Sequence, residues 1–174
     1  MVSGDPLGHK PKKKSNILIA GLGNVLLRDD GVGVHAIREL QRHSIRDTTA
    51  VEVGCAIFDV LPLLDSADKI LLIDAMQAGG IPGTIYECGL RDLEMLPPKG
   101  SLHELSLINA LQAFVRPSPR EIRLIGIEPG IIDYGFELTK PVKASLPKVL
   151  HVVQEIATEW AEQSKIRNSR KHHG

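Results

Sequence analysis

Aromatic residues are scarce in this chain. Trp, Tyr and Phe make up 3% of its 174 residues, against 43% hydrophobic residues overall. A core of useful size must therefore be built from Val, Ile, Leu and Ala, a composition that suits buried parallel strands covered by helices. Net charge is also lacking, with 21 basic and 21 acidic residues. That excludes a broad electrostatic grip on nucleic acid, which needs an excess of Lys and Arg on one face. The basic residues that do cluster lie at the ends: Lys10, Lys12, Lys13 and Lys14, then Arg167, Arg170 and Lys171. They read as solvated tails.

Cysteine is limited to Cys55 and Cys88, far apart in sequence, with neither a disulfide framework nor metal-ligand spacing. A reducing compartment is their simplest home. No apolar run is long enough to span a bilayer. Lys12–Lys14 followed by Ile17–Leu27 imitates a signal peptide, but Gly21, Gly23 and Asn24 break the run and no small-x-small site follows it. A cytoplasmic location is expected, with no membrane partner. Familiar hydrolase signatures are missing too: there is no G-x-S-x-G elbow, H-E-x-x-H helix or Walker glycine loop. If the chain hydrolyses something, carboxylates, histidine and a metal are its tools.

The length fits one domain. Residues 1–15 read as a flexible basic tail, 16–164 as a single α/β domain and 165–174 as a second basic tail. Apolar runs predict strands at 16–21, 50–54, 69–75, 83–88 and 121–129, the fourth towards an edge. Helical periodicity predicts helices over 32–43, 58–67, 103–114 and 142–163. In the first, Val34, Ile37 and Leu40 share a face; in the third, Leu107, Leu111 and Phe114; in the last, Val142, Leu146, Val149, Val153, Ile156 and Trp160. Alternation of strands and helices predicts a three-layer α/β/α sandwich around a mostly parallel, twisted five-stranded sheet. Ligands of such sheets bind beyond the carboxyl ends of the strands. The loops at 21–30, 74–82 and 129–140 leave those ends, and 97–103 is expected to fold over the same edge.

Several residues on these loops carry chemistry. Gly21 and Gly23 invite a dinucleotide reading with Glu52 as the ribose acid, but the third glycine of the fingerprint is Leu26. Relief of strain in a tight turn is the better account of both glycines. Asp29 and Asp30 precede a helix, so one is expected to cap it and the other to point into the cleft. Asp74 ends an apolar strand, as a turn-former or as a cleft acid. Glu128 is a weaker cleft acid, and His43 suits the dipole at a helix end. By position alone, His103 beside Glu104 reads as a solvated or capping residue.

Four blocks occur in order: ILIAGLGNVLLRDDGVGVHAIREL, ILLIDAMQAGGIPGTI, SLHELSLINAL and IRLIGIEPG. Together they resemble the nickel–iron hydrogenase maturation endopeptidases over residues 16–160. The resemblance implies a metal-dependent endopeptidase of aspartyl type. It would remove the C-terminal extension of a hydrogenase large-subunit precursor after nickel insertion. It also implies the site: Asp30, Asp74 and His103 as both metal ligands and catalytic residues. Two carboxylates and an imidazole suit nickel or zinc and leave coordination positions open. In this picture nickel is carried by the substrate, with zinc or cadmium as substitutes. The partner is the precursor, and a monomer is the simplest state.

One departure stands out. Many members of that family carry an aspartate followed by glycines just after the second strand, where this chain has VEVGCAIFDV, with Cys55 near that place and Asp59 beyond it. The departure motivates a second expectation, a non-catalytic checkpoint or chaperone that binds the nickel site without cutting. A nucleotide-binding protein is the third.

Overall fold

A computed structural model describes residues 16–43, 45–89, 92 and 121–170. The strands are β1 (Ile17–Leu22), β2 (Thr48–Gly54), β3 (Lys69–Ala75), β4 (Ile85–Gly89) and β5 (Glu121–Ile127). The helices are α1 (Val32–Arg42), α2 (Leu61–Ser66) and α3 (Lys140–Arg170), with 3-10 turns at Arg28–Gly31 and Ile57–Val60.

The sheet order is β2-β1-β3-β5-β4. β1 pairs in parallel with β2 and β3, and β3 pairs in parallel with β5. β4 lies at the edge, antiparallel to β5. Alternate strand residues face opposite layers, as the pleat requires. Ile17, Ile19, Leu71, Ile73, Ile125 and Ile127 pack with Val32, Ile37, Leu40, Val149, Val153 and Trp160, on the side of α1 and α3. Leu18, Ala20, Leu22, Ile70, Leu72 and Leu124 face Val60 and Leu64, on the side of α2. Both faces are covered, which is why β1 and β3 read as unbroken apolar runs. The expected three-layer α/β/α arrangement with a mostly parallel five-stranded sheet is therefore present.

Some boundaries differ from expectation. The segment expected as one helix over 58–67 divides into a 3-10 turn and the six-residue α2, with Pro62 in the first turn of α2. α3 continues to Arg170, past the expected end at 163. The apolar stripe ends at Trp160, but six of the ten residues from 161 to 170 are Ala, Glu, Gln, Lys or Arg, which favour helix, and none is Gly or Pro. Gln163 also accepts a hydrogen bond from Lys69 Nζ at 2.8 Å, tying that turn to the sheet. The helix expected at 103–114 lies outside the described residues.

From β1 the chain goes to β2 on one side, then crosses to β3 on the other. This reversal is the switch point, where the loops leaving β1 and β3 part and open a crevice.

Candidate functional site

The loop after β1 is shaped by glycines that let the backbone approach closely. A Cβ on Gly21 would press on Ile37 Cγ1 at 2.5 Å and on the Gly33 backbone, so α1 sits directly on β1. Gly23 has φ +102° and lies against the Asp30 backbone, while Asp74 Oδ1 is 3.5 Å from where its Cβ would be. Gly23 thus sits between the Asp30 backbone and the Asp74 carboxylate. The reading of these glycines as relief for a tight turn holds at Gly23. The dinucleotide reading does not fit. A Cβ on Gly31 would meet Val25 Cα at 2.8 Å, so the N-terminus of α1 is packed against its own loop. Glu52 is engaged by the Arg38 guanidinium at 3.1 Å.

Asp29 and Asp30 are both buried and point in different directions. Asp30 Oδ2 accepts the Asn24 N–H at 2.8 Å, and Asn24 Oδ1 in turn accepts the Leu26 N–H at 2.9 Å. Asp29 accepts the N–H groups of Gly130 (2.8 Å), Ile131 (3.0 Å) and Thr139 (2.7 Å), and the Thr139 hydroxyl at 2.7 Å. Neither caps α1, whose N-cap is Gly31 with no side-chain hydrogen bond. That corrects the expectation that one of them would. The 3-10 turn carries both acids before the helix begins, and their partners come from other loops. Arg28, at the head of this turn, holds a left-handed φ of 49° and donates its N–H to Gly135 O at 2.9 Å.

Asp74 closes β3 at 1% exposure, and its Oδ1 accepts the Ala75 N–H at 2.8 Å. Cys55 follows β2 at the third corner. Burial, then the negative charges of Asp30 and Asp74, push its thiol pKa upward. A thiol raised in this way stays protonated and is a poor nucleophile. Asp59 is exposed. Among the described residues, no group of three His, Cys, Asp or Glu side chains is placed to hold a metal ion. His103, the third expected ligand, lies outside the described residues.

Glu128 is not a cleft acid. It accepts the N–H groups of Ala78 (2.9 Å) and Gly79 (3.2 Å) and the Tyr86 hydroxyl (2.9 Å). Burial pushes its carboxyl up, but these hydrogen bonds outweigh that and hold it below the usual glutamate range. It pins the loop after β3 to the end of β5. Sequence reasoning missed this role and that of Asp29, because their donors are mainly backbone N–H groups with no residue signature. His43 is the C-cap of α1, its backbone N–H bonded to Leu40 O.

The fold and these loops define a class: a three-layer α/β/α protein with a pair of buried carboxylates at the switch point of its sheet. Known proteins narrow it. The sequence profile of the family described as HycI, hydrogenase maturation protease, matches residues 34–156, a span that includes Asp74 and His103 and begins just after Asp30. The hydrogenase expression/formation protein HoxM of Azotobacter vinelandii is 35% identical over 153 residues, 83% of this chain and 73% of that protein. The hydrogenase 2 maturation protease of Escherichia coli is 31% identical over 164 residues, 87% of this chain and 99% of that protein. Of solved structures, the [NiFe] hydrogenase maturation protease HybD from Thermococcus kodakarensis superposes with a TM-score of 0.67 at 31% identity, covering 82% of this chain and 99% of its own. The chain belongs to the hydrogenase maturation protease family.

Proposed function

We propose that this protein is an endopeptidase that removes the C-terminal extension of a nickel–iron hydrogenase large-subunit precursor once nickel is in place. The observation that carries the reading is the burial of Asp30 and Asp74 on loops that meet at Gly23, which lies against the Asp30 backbone and faces Asp74 Oδ1. Both carboxylates are almost fully buried, and a buried charge is costly unless it is hydrogen-bonded, paired or bound to a cation.

In this proposal Asp30, Asp74 and His103 grasp the nickel that the substrate carries. Bound nickel supplies Lewis acidity at the scissile carbonyl or to an attacking water. The chain's own part is positional. The Asn24 N–H fixes one Asp30 oxygen, and the Ala75 N–H fixes one Asp74 oxygen. A precursor without nickel makes no such contact and is left uncut. Zinc or cadmium would replace nickel as a probe of the same donors. We place this work in the cytoplasm; no helix of the described residues is long and apolar enough to cross a membrane.

The test is to mix the protein with nickel-loaded precursor and with nickel-free precursor, and to weigh the released peptide by mass spectrometry. Release from the loaded precursor alone is expected. No release, or equal release from both, rejects the proposal. Cys55 beside the acid pair favours a second reading, a checkpoint that binds the nickel site without cutting. A stable complex with intact, nickel-loaded precursor would support that reading.

A further inference from the structure

Eight large hydrophobic side chains are exposed among the described residues, and six of them crowd the carboxyl edge of the sheet: Leu26, Ile81, Ile131, Ile132, Tyr134 and Phe136. Tyr134 is 69% exposed, Phe136 63% and Ile81 79%. The chain has only six aromatic residues, and it places two of them uncovered on this one loop.

These residues form one surface because their loops are bonded together. The Gly135 N–H donates to Leu26 O at 2.9 Å, which sets Tyr134 and Phe136 beside Leu26. The two rings meet edge to face at 6.1 Å. The Asp29 N–H donates to Ile131 O at 3.3 Å, and the Asp29 carboxylate binds Gly130 and Ile131 from below. A Cβ on Gly130 would touch Pro82 at 3.3 Å, so the loop bearing Ile81 adjoins the loop bearing Ile131. All of this abuts Asp30, which follows Asp29 directly.

The geometry points to this rim as the docking surface for the polypeptide of the hydrogenase precursor that flanks the cleaved bond, a segment presenting large apolar side chains. A cluster of exposed aromatic and aliphatic residues continuous with a catalytic edge is the usual mark of a protein-binding patch. The inference rests on the protease reading of the adjoining acid pair.

The experiment measures cleavage of nickel-loaded precursor, and its affinity, for the parent protein, a Tyr134→Ser/Phe136→Ser variant and Ile81→Ser. Leu63→Ser and Ile166→Ser, exposed apolar residues away from this edge, serve as controls. Circular dichroism and the urea midpoint establish that each variant is folded. The rim variants are expected to raise KM roughly tenfold, with kcat within about threefold and the controls unchanged. A parent that cleaves, with rim variants whose KM stays within about twofold, overturns the docking surface and spares the protease reading. A parent that neither binds nor cleaves the loaded precursor overturns both. A parent that binds without cutting removes the protease step, and the rim variants must then still lose affinity. A parent that sediments as a dimer dispersed by the rim substitutions, with precursor affinity unchanged, assigns the patch to a second copy and overturns the inference.

Discussion

Asp29 accepts two hydrogen bonds from Thr139, one from its backbone N–H and one from its hydroxyl, both at 2.7 Å. The two residues lie 110 positions apart, and the contact joins the loop after β1 to the start of α3. With Gly130 and Ile131 also donating, one buried carboxylate closes the whole loop after β5 onto the acid-bearing turn. Removing it takes the acceptor from four part-buried hydrogen bonds to a charged group, each worth about 1 kcal/mol or somewhat more. Asp29→Ala should therefore lower the unfolding free energy by at least about 3 kcal/mol, and Thr139→Val by about 1 kcal/mol. Urea denaturation checks both values. If Asp29→Ala costs less than Thr139→Val, the carboxylate is not the organising group.

Much of the scaffold was legible because burial on two faces leaves a plain mark. Ile17–Leu22 and Lys69–Ala75 are apolar almost throughout, and the stripe from Val142 to Trp160 keeps one helical face. The edge position of the fourth strand was also foreseeable from its mixed composition, and its partly buried pattern agrees. The site was legible in its acids but not in their division of labour. Nothing in two adjacent aspartates says which one faces Gly23 and which faces Thr139. That choice depends on backbone N–H groups supplied from about 100 residues away, which every residue but proline carries. Glu128 was hidden for the same reason.

Gly23 offers a sharper probe of the acid pair. Its φ of +102° disfavours any side chain, and a Cβ there would collide with the Asp30 backbone and approach Asp74 Oδ1. Gly23→Ala should cost about 1–3 kcal/mol in stability. It should also displace Asp30 from Asp74, so cadmium uptake by the isolated protein should fall alongside that of Asp74→Asn and His103→Ala. Isothermal titration measures the uptake, and circular dichroism establishes that the fold persists. A Gly23→Ala protein that binds cadmium like the parent would show that the separation of the two acids does not depend on this residue.

Glu128 makes a prediction about acid. Its folded-state pKa lies below the ordinary value of 4.5, because the Ala78, Tyr86 and Gly79 donors outweigh the effect of burial. A depressed carboxyl contributes stability that is full above the unfolded-state pKa and is lost as pH falls through the folded-state pKa. The gap in unfolding free energy between the parent and Glu128→Gln should therefore be constant near neutrality. It should shrink as pH drops from about 5 towards about 3. Urea midpoints across that range measure it. A gap that widens with acid would mean that the Glu128 proton is bound more tightly in the folded protein, contrary to its hydrogen bonds.

Trp160, the chain's one tryptophan, has 0% exposure and lies beside two cations, with Lys69 Nζ 5.2 Å and the Arg123 guanidinium 5.4 Å from the ring centre. Both cations stand on strands and are held by carboxylates: Lys69 by Glu121 at 3.1 Å, and Arg123 by Glu121, by Glu159 of α3 and by Glu87 of β4. The ring therefore reports the docking of α3 on β3 and β5 at the end of the sheet opposite the acid pair. Emission should be blue-shifted in the folded protein and should move to the red in urea together with the far-ultraviolet circular dichroism. Trp160→Ala should cost about 3–5 kcal/mol, mainly through the cavity it leaves. Trp160→Phe should cost less, since the cation–ring attraction it weakens is worth only about 0.5–2 kcal/mol. If the fluorescence transition in the parent precedes the loss of ellipticity, α3 leaves the sheet before the rest unfolds, and the charged clamp around Trp160 does not bind the domain into one cooperative unit.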